Sequence, residues 1–209
     1  MSDTGLDLRN ALKQRGALLE GHFRLSSGRH SDRFVQKFRI LEDPVLLESV
    51  ARAIAARFRS LEPTVVVGSA VGGILLAYEV ARQFGTKAIF VEKENGLPAL
   101  RRGFTLSRLD RALLVEDVLT TGRSMRETIG VVEKQGAKIV GLGVIVARGD
   151  VILRQAQDDK RQAQDDKRQA QDDTPTHVLL DLPLRSYDES ECPQCRAGEP
   201  ISDPGSRRS

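Results

Sequence analysis

"RALLVEDVLTTGRSMRETIGVVEKQGAKIVGLGVIVAR", residues 111 to 148, sets two apolar runs on either side of a helical stretch. Ala112 to Val115 is continuously apolar and leads into two acids, Glu116 and Asp117, and then into a hydroxyl- and glycine-rich turn, Thr120 to Ser124. The pattern predicts a strand over 111–117, a helix over 124–136 and a second strand over 137–148. Strands made of uninterrupted Val, Ile and Leu are buried on both faces, and two of them joined by a helix form a right-handed βαβ unit.

The alternation continues toward the N-terminus. Strand "TVVVG" (64–68), a Gly-rich turn "SAVGG", a helix over 74–85 and strand "KAIFVEK" (87–93) precede a basic loop. Before them, Asp43-Pro44 opens a helix whose apolar positions 46, 47, 50, 54 and 58 recur near helical spacing, with Asp as N-cap and Pro in the first turn. Residues 6–15 predict a short helix, and the segment from Ala17 to Leu41 predicts short strands and turns broken at Ser-Ser-Gly and Gly-Arg-His-Ser. The expected fold is α/β, a doubly wound, mainly parallel sheet flanked by helices with a small N-terminal hood. It is read as one domain of 209 residues: hood 1–42, core 43–150, an insertion at 154–173, a final strand region 174–187 with strand-like "THVLLDLPL" (176–184), and a polar tail 188–209.

The insertion "RQAQDDKRQAQDDKRQAQDD" repeats every seven residues, and its apolar side chains are Ala156, Ala163 and Ala170. One alanine per heptad is far less than a coiled-coil seam needs, so the segment reads as a solvated helical or disordered decoration.

No stretch has the apolar length of a membrane span, and the first residues lack a signal peptide's apolar core, so a cytoplasmic protein with no membrane partner is expected. A net charge of +3 suits anionic small molecules as well as nucleic acid, and no dense basic stripe or helix-turn-helix pattern points to a nucleic-acid partner. Cys192 and Cys195 form a single C-x-x-C, which supplies two of the four ligands of a structural zinc site. A metal there needs further ligands or a second subunit, so the pair is read as reduced thiols in a turn, and no metal held by protein side chains is expected. His22 and His30 read as surface or turn histidines of the hood.

In a doubly wound sheet, ligands sit beyond the carboxyl ends of the strands where the strand order reverses. There the amides and hydroxyls of Thr120 to Ser124 face outward at the positive end of a helix, an arrangement that binds a phosphate monoester. Two carboxylates beside a phosphate repel it unless a ribose intervenes, because vicinal hydroxyls donate to carboxylates. The acid pair and the anion cradle together point to a ribose 5-phosphate. A plain N-terminal cap accounts for Thr121 or Ser124 but leaves the acids unexplained.

"LLVEDVLTTGRSM" resembles the phosphoribosyl pyrophosphate signature of the type I phosphoribosyltransferases. The wider chain is similar to the orotate branch of that family: "FRLSSGRHSDRFVQ" to its N-terminal segment, "GSAVGG" to its pyrophosphate loop, "LRRGF" to part of its mobile loop and "VIVARGD" to the strand whose terminal Arg holds orotate. The resemblance implies a pentosyltransferase that joins orotate to the phosphoribosyl group of phosphoribosyl pyrophosphate in pyrimidine (UMP) synthesis, with Mg²⁺ as cofactor, bound mainly through substrate. It also implies a homodimer whose flap is shared between subunits. Carried over, Glu116 and Asp117 hold the ribose diol, and Val118, Leu119, Thr120, Thr121, Gly122, Arg123 and Ser124 bind phosphoribosyl pyrophosphate. Thr120, Arg148 and Phe34 contact orotate, Lys93 joins the acids in catalysis, and Gly72, Gly73, Arg101 and Arg102 take the pyrophosphate.

The chain departs from the family pattern at Ser26, Gly72 and Glu92, where many members carry Lys, Lys and Arg. In the loop the family's usual Lys and His after Lys93 are not evident either, and Arg101 and Arg102 either substitute for the loop's missing cations or are solvated loop charges. Two rivals remain: a purine phosphoribosyltransferase, which shares the ribose-phosphate signature, and a non-catalytic regulator that senses nucleotides.

Overall fold

The computed structural model describes residues 7–25, 27–148 and 174–204; Ser26 and the repeat at 154–173 lie outside them. In chain order the elements are α1 (Leu8–Gln14), β1 (Leu18–Arg24), β2 (His30–Val35), α2 (Phe38–Leu41), α3 (Pro44–Phe58), β3 (Val65–Ser69), α4 (Gly72–Phe84), β4 (Lys87–Glu94), β5 (Leu97–Leu100), β6 (Arg111–Leu119), α5 (Arg123–Lys134), β7 (Lys138–Ala147), β8 (Thr176–Asp181) and α6 (Pro193–Arg196). One sheet has the strand order β5-β4-β3-β6-β7-β8. Its pairings are parallel apart from β4 with β5, which run antiparallel. The chain leaves β3 toward β4 on one side and later returns to β6 on the other, so the order reverses between β3 and β6.

Alternation along these strands supplies two cores. Val66, Leu113 and Val115 pack with α3 and α4 on one face, where Phe58 is fully buried. Val65, Val67, Ala112 and Leu114 pack with Met125 and Val132 of α5 on the other. Helix α3 begins as its sequence predicts: the Asp43 carboxylate accepts from the amides of Val45 and Leu46 at 3.0 Å each, and Pro44 occupies the first turn.

Several boundaries differ from the sequence reading. The strand expected to stop at Asp117 runs on to Leu119, because Val118 and Leu119 pair with Val146 and Ala147 of β7. Helix α4 starts two residues earlier than expected, at Gly72. The basic loop from Lys93 to Arg102 is largely a hairpin, with Lys93 opposite Pro98 and Glu94 opposite Leu97 around an Asn95-Gly96 turn in which both residues have positive φ. Asn-Gly favours a two-residue hairpin turn, a local signal that the charge of the segment had masked.

The hood consists of β1 and β2 paired antiparallel. The tail is not a free polar end. It returns across the hood, with Ser202 bridging Phe23, Tyr187 bridging His30, and Cys192 fully buried.

Candidate active site

Strands β3 and β6 end side by side, and each feeds a helix that starts without a side-chain cap. Helix α4 follows Val71 and α5 follows Gly122, and neither receives a capping hydrogen bond from its N-cap side chain. The Arg123 amide donates to Thr121 Oγ1 at 3.4 Å and the Ile74 amide to Val71 O at 3.2 Å, while the remaining first-turn amides point out of the strand ends at the positive end of each dipole. Gly122 has φ 69°, a left-handed conformation that folds the chain from strand into helix within three residues. Around it Thr120, Thr121, Arg123 and Ser124 are exposed, as an anion cradle requires.

The two acids lie within the strand, on opposite faces of the sheet. Glu116 shares the face of Leu114; the Ser69 hydroxyl at the end of β3 stands 3.0 Å from each of its carboxylate oxygens. Asp117 shares the face of Val115, where Lys37 Nζ lies 3.3 Å from Oδ1 and 3.0 Å from Oδ2. The second contact is an ion pair without hydrogen-bond alignment. Both side chains are nearly covered, at 6% and 1% exposure. The Glu116 carboxyl is pushed up to about 7, first by burial and then by the charge of Asp117, against the opposing pull of Ser69 and Lys37. Gly72 packs directly on the acid of the other face: a Cβ there would stand 1.8 Å from Asp117 Oδ2. A lysine at this position has no room while Asp117 stays in place.

Beyond Ser69 a cleft opens between the β3 end, the β4–β5 hairpin and α5, lined by Glu92, Lys93, Ser124, Glu127 and Thr128 among others. The hairpin's cations are engaged with acids: Lys93 with Glu127 at 3.3 Å, Arg101 with Glu94 at 3.2 Å and Arg102 with Glu92 at 3.0 Å. All three pairs are exposed enough for solvent to screen them, so little holds these cations against a more strongly charged anion.

A phosphoribosyl transferase domain model matches residues 39–174. The chain is 41% identical over 196 residues to an orotate phosphoribosyltransferase of Pelotomaculum thermopropionicum, covering 94% of each protein. It is 40% identical over 189 residues to one of Caldanaerobacter subterraneus subsp. tengcongensis, covering 90% of each. The chain belongs to the orotate phosphoribosyltransferase family. Its fold matches the crystal structure of the orotate phosphoribosyltransferase from Aeropyrum pernix with a TM-score of 0.59, at 28% identity over 84% of this chain and 93% of that one.

Within this family member, Arg148 follows β7 and donates its amide to Leu119 O at 3.1 Å, beside the end of β6. Its guanidinium reaches under the hood to Ser31 Oγ at 3.4 Å. Burial lowers its pKa from the ordinary arginine value, with the Asp32 charge acting the other way. Arg148 is thus a half-buried cation facing the hood rather than a surface ion pair. Phe34 packs on Phe23 within the hood, with ring centres 5.9 Å apart. The side chains of Val118 and Leu119 pack toward the two cores, and backbone groups of both are engaged: Val118 N donates to Asp117 Oδ1 at 2.6 Å and Leu119 O accepts from Arg148. Gly72 and Gly73 form the buried start of α4.

Sequence reasoning missed Lys37, Ser69 and Glu127. Lys37 stands one residue past the hood motif, Ser69 inside the quoted Gly-rich loop, and Glu127 one helical turn after Arg123, with which it pairs at 2.9 Å. Each owes its role to a partner distant in sequence, and Arg123–Glu127 alone has the i,i+4 spacing that sequence displays.

Proposed function

We propose that the chain transfers the phosphoribosyl group of phosphoribosyl pyrophosphate to orotate, giving orotidine 5′-monophosphate and pyrophosphate on the route to UMP. The bond from C1 of the ribose to pyrophosphate breaks, a bond from C1 to a ring nitrogen of orotate forms, and that nitrogen's proton is released. The observation that carries this reading is Arg148, half-buried beneath the hood beside the strand of the two acids. A guanidinium there matches the carboxylate of orotate bidentately, and neutral purines lack that group. The uncapped start of α5 suits the 5-phosphate and that of α4 the pyrophosphate, while Glu116 and Asp117 lie next to the ribose between them. Lys93, Arg101 and Arg102 exchange their glutamates for the departing pyrophosphate, where cations in a closed site stabilise developing charge strongly.

Glu116 and Asp117 face opposite sides of the sheet and do not converge on one ion, so Mg²⁺ would be held mainly through phosphoribosyl pyrophosphate oxygens and water, a coordination it favours. When bound, it neutralises charge on the leaving pyrophosphate. A homodimer is part of the proposal, supported by an exposed apolar row at the start of α4, the N-cap Val71 with Leu75 and Tyr78 of the helix, at helical spacing. So is a cytoplasmic location; among the described residues no helix is long and apolar enough to cross a membrane.

The test is a substrate panel with Mg²⁺ and phosphoribosyl pyrophosphate. Loss of orotate absorbance, with adenine, hypoxanthine and uracil unchanged, is the expected result. Turnover of a purine would replace the substrate, and inertness toward every base would leave a regulator.

A further inference from the structure

The tail and the hood bring together four metal-ligating side chains, none of which lines the cleft. His22 on β1, His30 on β2 and the pair Cys192 and Cys195 present their ligand atoms within 4.8 Å of one another. His22 and His30 are 5% and 1% exposed and lie on strands, so their reading as surface or turn histidines is corrected here; Cys192 is fully buried, and both cysteines are free thiols. The reason is the return of the tail over the hood, which seals both histidines beneath it.

The distances have the size of a coordination shell. A tetrahedral zinc ion with ordinary Zn–N and Zn–S bonds sets its ligand atoms about 3.3 Å apart for two nitrogens and about 3.6 Å for nitrogen and sulfur. His22 Nε2 and His30 Nδ1 are 3.1 Å apart. The nitrogen-to-sulfur separations are 3.2 Å from His30 Nδ1 to Cys195, 3.5 Å from His22 Nε2 to Cys192 and 3.6 Å from His22 Nε2 to Cys195.

The hydrogen bonds around the cluster point the same way. His22 Nδ1 lies 2.9 Å from the carbonyl oxygen of Glu199. A carbonyl only accepts, so Nδ1 carries the proton and Nε2 turns a lone pair toward His30 and the thiols. A backbone carbonyl behind an imidazole is the usual support for a metal-bound histidine. Without an ion, the two thiols have one proton each to give, Cys195 to His30 Nδ1 and Cys192 to His22 Nε2. An ion at the centre takes the inward-facing lone pairs of all four side chains.

We propose that His22, His30, Cys192 and Cys195 form a structural site for a thiophilic divalent cation, zinc by ligand type and geometry, which clamps the C-terminal tail onto the hood. Four protein ligands leave no open position, so the ion is structural rather than catalytic. Its neighbour Ser31 donates to Arg185 O at 2.9 Å and receives Arg148, so the clamp also steadies the ceiling above that arginine.

The test uses the full untagged chain, reduced and reconstituted with zinc, then freed of loose metal. Elemental analysis should find one zinc per chain. Cobalt(II) in place of zinc should give the intense visible bands of a tetrahedral site and a near-ultraviolet thiolate charge-transfer band. Cys195→Ser and His30→Ala should each weaken zinc binding by at least about 10²-fold, as loss of a ligand does. Should those variants fail to fold, stripping the unaltered chain with a strong chelator should lower its thermal midpoint, and zinc should restore it. Less than a tenth of an equivalent of zinc on folded, reduced chain, or a midpoint indifferent to chelation and zinc, overturns the proposal. No substrate enters these measurements, so their outcome is independent of the orotate reading.

Discussion

Helices α3 and α4 pack against each other on one face of the sheet, yet they begin in opposite ways. Helix α3 is closed by its own sequence, with Asp43 accepting from two amides and Pro44 filling the first turn. Helix α4 starts with two buried glycines and no capping side chain, and α5, on the other face, starts at Gly122 in the same uncapped way. A carboxylate cap stabilises a helix by occupying the place an incoming anion would take. Where the chain leaves that place vacant, the amides are kept for a ligand, and local stability is forgone at the site.

The strongest break in this contrast is at the acid beneath α4. Asp117→Asn should lower turnover about 10²-fold or more, the scale on which single electrostatic groups act in closed sites. Steady-state kinetics beside a thermal melt should show activity falling much further than stability.

Gly72→Ala presses the uncapped turn onto that carboxylate, since the new Cβ and Asp117 Oδ2 cannot share a 1.8 Å gap. A displacement of about 1 Å at a reacting centre costs about tenfold to a hundredfold in rate. Unimpaired kinetics would show that Asp117 moves aside without consequence.

Glu116 gives the contrast a pH signature. Its folded value near 7 exceeds the ordinary 4.5, so between those values the folded chain holds a proton that the unfolded chain has released. Stability attributable to this group is therefore lost as pH rises through that window, on the order of 3 kcal/mol in all. Urea denaturation should show Glu116→Gln flattening the slope between pH 5 and 7 and stabilising the protein above it. Phosphoribosyl pyrophosphate, whose ribose hydroxyls donate to the ionised carboxylate, should bind the unaltered chain more tightly as pH rises through 7, a dependence the variant loses.

The smallest effect belongs to the capped helix. Asp43→Ala should drop the thermal midpoint by a few degrees and leave turnover alone. A kinetic defect would show that α3 is coupled to the cleft.

Much of this architecture was legible in order along the chain. The strands at 65–69, 111–119 and 138–147 announced themselves as Val, Ile and Leu runs, and Asp43-Pro44 marked the start of α3. The turn at Thr120 to Ser124 was legible too, because the start of a helix is made from consecutive residues. What could not be read was partnership across distance. Glu116 and Asp117 look like a matched pair in the sequence, but strand alternation sends them to opposite faces, one to Ser69 and the other to Lys37 and Gly72. The flap cations looked free for pyrophosphate until hairpin pairing set Arg101 and Arg102 beside Glu94 and Glu92.

Hydrophobic periodicity and local turn chemistry, which act between near neighbours, were enough for the sheet, its helices and the turn that opens α5. Tertiary packing alone decided that Lys37 faces Asp117 across 80 residues, and that His22 meets Cys195 across 173. Such meetings depend on where a folded sheet brings separate segments, and no residue's own spacing records that.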